Sequence, residues 1–236
     1  MVEENGSIRT LSVDIGGSGV KAMVLDITGN PLTERARLDT PKPAKTEVVI
    51  NAIVVLAAPN SGEFDRVSVG FPGVVRGGVT QTAVNLDPDW IGFDLATALS
   101  KRLNKPVRVI NDADMQGLGA IAGKGVELVI TLGTGFGSAL FVDGKLVPNL
   151  EMGHHPFRKG ETYEEQLGRA ALDKIGDQKW NRRLSKAIAS LQNLFNYDYL
   201  YIGGGEATRV TLPLPPNVKV ISNITGLLGG IALWRD

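Results

Sequence analysis

Two glycine-rich turns lie half a chain apart and are built to bind the same kind of group. The first reads Leu11-Ser-Val-Asp14-Ile-Gly16-Gly17-Ser18-Gly19-Val-Lys21-Ala22, the second Leu128-Val-Ile-Thr131-Leu-Gly133-Thr134-Gly135-Phe-Gly137-Ser138-Ala139. A shift of 117 residues superposes Gly16 on Gly133, Ala22 on Ala139 and Asp26 on Asp143, the register of two related half-domains. Glycines leave backbone N–H groups unshielded, so a glycine turn between two strands is a concave set of donors suited to phosphate oxygens. Ser18, Thr134 and Ser138 add hydroxyls, and Lys21 adds a cation. Neither turn opens a helix, which excludes a dinucleotide fingerprint, and no GxxxxGK[ST] run occurs, which excludes a P-loop. Ordinary tight hairpins would use the same glycines. Their recurrence in register favours phosphate binding.

Two further constellations carry groups able to take a proton or hold hydroxyls. Asn111-Asp112 closes the apolar run 107–110 and precedes a segment of helical spacing. Ligands of open α/β sheets collect beyond the carboxyl ends of strands. An ionised carboxylate there can accept a proton from a substrate hydroxyl within hydrogen-bond reach. It can equally cap the helix, a role worth about 1 kcal/mol that Asp114 is also placed to fill. Glu151-Met-Gly-His154 follows the second turn closely, and a carboxylate and an imidazole around a flexible Met-Gly pair can both address one polar ligand such as a sugar. A hydrogen-bonded core histidine is the other reading of His154, and His155 is taken as a neighbour without a role.

The elements that must position these groups alternate between strands and helices. Periodicity predicts strands over 11–15, 20–27 and 31–38, broken by Gly16–Gly19 and by Thr28-Gly-Asn30. Thr46 is the expected N-cap of a helix through Ala57, followed by a strand over 66–71, a turn at Gly77-Gly78 and a helix over 94–103. Strands over 107–110 and 128–132 flank a helix over 113–122, and Asp143-Gly144 marks a hairpin. Helices over 163–175 and 180–195, a strand over 199–202 ending in Gly203-Gly204-Gly205, and a final helix over 225–234 complete the pattern. The fold class is therefore α/β with a partly antiparallel sheet in each half.

Composition narrows the function. At 236 residues and 43% hydrophobic content the chain can bury a full core, and its length suits two lobes. A formal net charge of zero argues against a nucleic-acid surface as the main business. No apolar stretch reaches membrane-spanning length, and the polar, acidic start has no signal-peptide pattern, so no membrane partner and a cytoplasmic location are expected. With no cysteine and only two histidines, a zinc site is not expected.

Asp14-x-Gly-Gly-x-x-x-Lys21, Asn111-Asp112-Ala-Asp114, Leu132-Gly-Thr-Gly-x-Gly137 and Glu151-x-Gly-His154, taken in this order, resemble the ROK (repressor, open reading frame, kinase) sugar kinases. More narrowly, residues 131–149 and Asn85-x-Asp-x-x-Trp90-Ile-Gly92 resemble the polyphosphate glucokinases of that family. The resemblance implies an actin-like, two-lobed α/β kinase that moves a terminal phosphoryl group from polyphosphate or ATP to the 6-hydroxyl of glucose with Mg2+. It implies an N-terminal lobe over 1–111, a C-terminal lobe over 112–224, a terminal helix 225–236 packed back on the first lobe, and a homodimer. By matching motifs, Asp112 is the general base, and Asn85, Asn111, Glu151 and His154 hold the sugar. Asp14 faces the metal through water. The donor phosphates fall to Gly16, Gly17, Ser18, Gly19 and Lys21 in one turn and Thr131, Gly133, Thr134, Gly135 and Gly137 in the other. Gly203, Gly204 and Gly205 match the loop that packs on adenosine, although a glycine turn into a helix is their plainer reading.

Many relatives carry a cysteine-rich zinc motif after the Gly-His, ending in a sugar-binding glutamate. The cysteines are missing here, and that glutamate's place falls on Glu164, with Glu165 beside it. The repressor branch resembles proteins with an added helix-turn-helix before the first strand. About ten residues precede Leu11 here, so a non-catalytic sugar sensor is the disfavoured alternative and a strictly ATP-dependent glucomannokinase the nearer one.

One feature stands apart from these motifs. Lys179, Arg182, Arg183 and Lys186 recur at three- and four-residue spacing, which on a helix makes one basic face. Such a run is either a solvated face or a surface for the tail of a polyanion.

Overall fold

The computed structural model describes residues 8–83, 86–222 and 224–235. The chain divides into two compact units, Met1–Met115 with Gly226–Asp236, and Gln116–Thr225. The division falls inside the helix that starts at Asp112.

The first unit builds, in chain order, β1 (Thr10–Ile15), β2 (Gly19–Leu25), β3 (Ala36–Asp39), α1 (Thr46–Ala57), β4 (Arg66–Phe71), the short hairpin β5 (Val75–Arg76) and β6 (Val79–Thr80), α2 (Leu95–Leu103), β7 (Val107–Asn111) and α3 (Asp112–Leu118). Its sheet has the order β3-β2-β1-β4-β7. Tight turns make β1, β2 and β3 antiparallel, whereas helical crossovers bring β4 and β7 in parallel to β1. Alternation along the strands puts Leu11, Val13, Ile15, Val67 and Val69 in one core with Val49, Ile50, Ile53 and Leu56 of α1. Trp90 is fully buried in that core, 5.1 Å from the ring of Phe71.

The second unit repeats this plan with β8 (Val126–Leu132), β9 (Phe136–Val142), β10 (Lys145–Val147), the hairpin β11 (Pro156–Arg158) and β12 (Glu161–Thr162), α4 (Tyr163–Leu167), α5 (Arg169–Ile175), α6 (Asp177–Phe195), β13 (Tyr199–Gly203) and β14 (Val218–Val220). Its sheet order, β10-β9-β8-β13-β14, and its strand directions match those of the first unit one for one. Leu128, Ile130, Leu132, Leu200 and Ile202 meet Trp180, Leu184, Ile188 and Leu191 of α6 in its core. Glu127, fully buried, accepts hydrogen bonds from the N–H groups of Ala122, Gly123 and Lys124 and from the Tyr201 hydroxyl, which ties the entry of β8 to β13.

Four local expectations are corrected. Thr46 is not the cap of α1 but its first residue; its N–H and hydroxyl both turn to the Asp89 carboxylate, and Lys45 stands at the cap without a side-chain bond. The third strand is only β3, because Pro31 has no N–H for a ladder and pairs with Leu25 as an isolated bridge. The helix expected over 163–175 breaks at Gly168, whose extended backbone (φ −65°, ψ 171°) lets the Arg169 N–H reach the Gly133 carbonyl at 2.9 Å. The terminal helix is a short α7 (Thr225–Leu228) followed by 3-10 turns to Trp234. Glycines at 229 and 230 hold a helix poorly, and the sheet competes for the carbonyls. Ser12 donates to the Leu227 carbonyl and Ser68 to the Gly230 carbonyl, both at 2.6 Å. Trp234 closes this segment over the first sheet, its ring in contact with the guanidinium groups of Arg66 (5.0 Å) and Arg108 (4.4 Å) and its N–H donating to Ser68.

Candidate active site

In the first unit the sheet register gathers the expected chemistry at one end. Asp14 on β1 is opposite Gly70 on β4, and Gly70 is opposite Ile110 on β7, the residue before Asn111-Asp112. Three parallel strands thus finish together, with Asp14 and Ile110 two strands, or roughly 10 Å, apart. Gly70 allows a close approach there: a Cβ would sit 2.8 Å from the Met115 methyl, which would have to move, and a tight 3.3 Å from the Asp112 Cα. Its missing side chain lets α3 start against the sheet, so that Asp112 stands directly at the strand end.

Asn111 is the cap of α3. Its Oδ1 accepts from the N–H groups of Ala113 (2.9 Å) and Asp114 (3.1 Å), and its Nδ2 donates to the Gly73 carbonyl at 3.1 Å. A carboxamide has two donor hydrogens and two acceptor sites, so one N–H has no partner among the described residues. One oxygen of Asp112 accepts from the Ala113 N–H at 2.8 Å. Asp114, considered above as a cap, is instead 3% exposed on the buried side of the helix.

The first turn closes with the Gly16 N–H on the Gly19 carbonyl, while Thr40 donates to the Gly16 carbonyl and Arg37 to the Ser18 carbonyl. With these carbonyls engaged, the N–H groups of Gly17 and Ser18 donate to nothing among the described residues. Asp14 and Lys21 form an ion pair of 2.7 Å at its base, both about one-fifth exposed.

In the second unit Leu132 pairs with Phe136, so the turn has three residues, Gly133–Gly135, against four in the first, where Ile15 pairs with Val20. Gly137 lies within β9, opposite Thr131. The Glu164 carboxylate accepts from the Phe136 N–H at 3.2 Å and occupies the space a Cβ on Gly135 would need. Its neighbour Glu165 is used otherwise: with Thr162 it forms a reciprocal capping box at the start of α4. Glu151 and His154 are 3.8 Å apart, and the His154 side chain is half exposed, which overturns the core-histidine reading. Burial pushes the Glu151 carboxyl above its ordinary value; His154 opposes the rise and the Glu164 carboxylate adds to it, which places these three groups in one field. Gly203, at the end of β13, is opposite Thr131, and Gly204 adopts φ 88° where any Cβ would strike the Leu132 backbone.

Two positioning groups escaped the sequence reading. Ser138 is not a phosphate-turn hydroxyl. It is buried in β9, donating to the Leu150 carbonyl at 2.7 Å and accepting from the Met152 N–H at 3.1 Å, so it clamps the chain on both sides of Glu151. Arg169 supports the second turn through its N–H and pairs with Glu206 at 3.0 Å. Ser138's place in the alternation of β9 was a signal that it faces inward; nothing local pointed to Arg169.

The sequence pattern of the ROK family matches residues 10–168. The chain belongs to the ROK family. Among ROK relatives it is 32% identical to the polyphosphate glucokinase of Mycobacterium leprae, over 94% of this chain and 73% of that one. A crystal structure of inorganic polyphosphate/ATP-glucomannokinase from Arthrobacter sp. strain KM superposes with a TM-score of 0.88 and 36% identity, covering 97% of this chain and all of that one. A ROK glucokinase from Streptomyces griseus, solved with glucose and AMPPNP, shares the fold at a TM-score of 0.81 and 22% identity, over 95% and 98% of the two chains. The chain therefore carries the actin-like α/β fold of the ROK sugar kinases.

Asn85, the remaining sugar-binding expectation, lies outside the described residues. Among the described residues no helix is long and apolar enough to cross a membrane, and no group of three or more His, Asp or Glu side chains is placed to hold a metal ion by itself.

Proposed function

We propose that this ROK protein is a sugar kinase that transfers the terminal phosphoryl group of inorganic polyphosphate, or of ATP, to the 6-hydroxyl of glucose. The observation that carries the reading is Asp112, a carboxylate fixed at the meeting point of a parallel strand and a helix start, in a chain whose relatives at 32% and 36% identity are named polyphosphate glucokinase and polyphosphate/ATP-glucomannokinase. In this reading Asp112 takes the proton of the 6-hydroxyl while that oxygen forms its bond to the terminal phosphorus. The bond from phosphorus to the bridging oxygen breaks, and the shortened polyphosphate or ADP leaves with the electron pair. Asn111 offers its one remaining N–H to the sugar, and Glu151, His154 and Glu164 supply acceptors and an imidazole for its other hydroxyls. Phosphoryl transfer needs little covalent help from the protein and depends on N–H donors and cations for its spread negative charge. The glycine turns and Lys21 are suited to that task.

Magnesium belongs to the same proposal. Mg2+ commonly keeps several waters and takes one or two carboxylates plus substrate phosphates, so a single carboxylate beside a glycine turn fits it better than a cage would. Asp14, already ordered by Lys21, would hold the ion through water, and when bound the ion would neutralise charge on the donor phosphates. The homodimer and cytoplasmic setting implied by the family also remain part of the reading, tested by sedimentation and by fractionation.

The deciding experiment is a coupled assay of glucose 6-phosphate formation with polyphosphate or ATP as donor. Product from polyphosphate is expected. Product from ATP alone would hand the reading to a strictly ATP-dependent kinase, and none from either would remove the enzyme.

A further inference from the structure

The basic face of α6 does not stand alone. A cleft of about 300 Å³ in the second unit is lined by Lys179, Arg182, Arg183 and Lys186 of α6 together with Arg158 and Lys159 of the β11–β12 hairpin. All six lining residues are cationic, and among the described residues none of them pairs with a carboxylate. A merely solvated helix face would not recruit a second element of the same sign. Lys159 stands at the first position of a two-residue hairpin turn with φ 57°, a left-handed conformation that favours Asn or Gly over Lys. The two arginines nearest the protein body are held by a neutral residue: Arg183 donates to the backbone carbonyl of Gln166 at 3.3 Å and Arg158 to its side-chain oxygen at 3.5 Å. Gln166 is 2% exposed. Gln166 also donates to the Glu161 carboxylate, which lies across the hairpin from Arg158 without forming an ion pair with any of the six cations. The guanidinium groups are therefore oriented with no carboxylate in direct contact, and six like charges in one concavity favour an anion of high charge density.

The cleft also has a defined place relative to the second glycine turn. Both border α4, the turn through Glu164 and the cleft through Gln166. Residues two apart on a helix point to opposite sides, so α4 stands between the turn and the cleft. A nucleoside triphosphate whose phosphates lie on the turn has no further phosphates to extend past α4. A long phosphate chain does.

We propose that this cleft is a second polyphosphate subsite, which holds the distal part of a long inorganic polyphosphate chain while the chain's end is at the donor site. The proposal rests on the kinase reading above for the donor end only; the cleft itself is argued from its own charge. Basic grooves bind phosphate chains largely by displacing counterions, so the contribution must fall as salt rises.

The test is the triple variant Arg182→Gln, Arg183→Gln, Lys186→Gln, compared with the unaltered chain. Binding of labelled long-chain polyphosphate and of tripolyphosphate is measured directly, and glucose phosphorylation is measured with long-chain polyphosphate, tripolyphosphate and ATP at low and high salt. Unchanged circular dichroism and thermal melting establish folding; if the triple variant melts early, Lys179→Gln with Lys186→Gln, both exposed, replaces it. Expected are a loss of about tenfold or more in affinity and a rise of about tenfold or more in KM for the long chain at low salt, converging at high salt, with tripolyphosphate and ATP changed less than about twofold. Equal losses for all donors, or no loss for the long chain, would overturn the subsite. Long-chain binding that is lost in the variant, in a protein that phosphorylates glucose from ATP only, would sustain the cleft and sink the donor reading. Single-stranded RNA bound as tightly as polyphosphate, and lost equally in the variant, would overturn the assignment in favour of a nucleic acid.

Discussion

The two units share a sheet order and a glycine hairpin but furnish them with opposite chemistry. In the first, cationic and hydroxyl side chains surround the turn: Arg37 and Thr40 hold its carbonyls, and Lys21 pairs with Asp14 below it. In the second, the turn is one residue shorter and a carboxylate, Glu164, stands against it, with Glu151 and His154 in the same field. The contrast extends to the third parallel strand. β7 ends at Asn111 and runs directly into a helix at Asp112, whereas β14 ends at Val220 and the next helix begins only at Thr225. One scaffold, used twice, thus keeps its glycines where backbone must stay open and varies the side chains that come from elsewhere. The symmetry belongs to the strands, and the asymmetry to the segments that pack on them.

If proton transfer belongs to the first unit alone, Asp112→Asn has the largest effect of any single change. Asparagine caps a helix about as well as aspartate but cannot take the proton, so kcat should fall by about 100-fold or more with the melting temperature and glucose KM nearly unchanged. Near-normal turnover would reduce Asp112 to a cap and erase the distinction between the units.

The second unit's share is tested next. Leaving a sugar hydroxyl unpaired costs about 1–2 kcal/mol, so Glu151→Gln and His154→Ala should each raise the KM for glucose by about 5- to 30-fold while the donor KM hardly moves. Should the donor KM rise instead, the carboxylate cluster acts on phosphate and the contrast is drawn the wrong way. Ser138→Ala sharpens this point, because it touches no ligand and would loosen Glu151 only through residues 150–152. Its effect is expected on glucose KM, at about threefold to tenfold, with kcat at saturation largely retained.

The turns themselves differ in what an added methyl meets. In Gly135→Ala the Cβ needs the place of the Glu164 carboxylate, whereas in Gly19→Ala it meets the guanidinium end of Arg37, a flexible side chain that can move aside. A severalfold rise in glucose KM is expected for the first and little change for the second. Equal responses would show that Glu164 is not constrained by the turn.

The smallest effect is a pH dependence of stability. Glu151 has its folded value raised by burial, so its contribution to stability is fully present below the ordinary carboxylate range and is lost as pH rises through the raised value. Glu151→Gln cannot ionise. Its melting temperature relative to the unaltered chain should therefore improve from pH 4 to pH 7, and a difference that stays flat over that range would mean the carboxyl is not perturbed.

Much of this was legible in the chain because it is written in contiguous residues. Alternating apolar residues and the positions of glycine specify β1–β2 and β8–β9 and their near-repeat, since strand periodicity and turn geometry are local properties. The adjacency of Asn111 and Asp112 to a strand end, and the basic stripe on α6, were likewise visible as spacing. What only the tertiary structure decided involves segments far apart in sequence. Glu164 meets the Phe136 N–H, 28 residues earlier, while the local capping box takes Glu165, and Gly168 breaks a helix of good propensity because Arg169 finds a hydrogen bond at Gly133. In the sequence Ser138 counts among the turn's hydroxyls, because its partners, Leu150 and Met152, lie beyond a hairpin. Arg158 and Lys159 join the α6 cations only once a β-hairpin packs beside that helix. Periodicity reports which face of an element is buried, but a charge or a hydroxyl takes its role from the partner it meets, and that partner is chosen by packing.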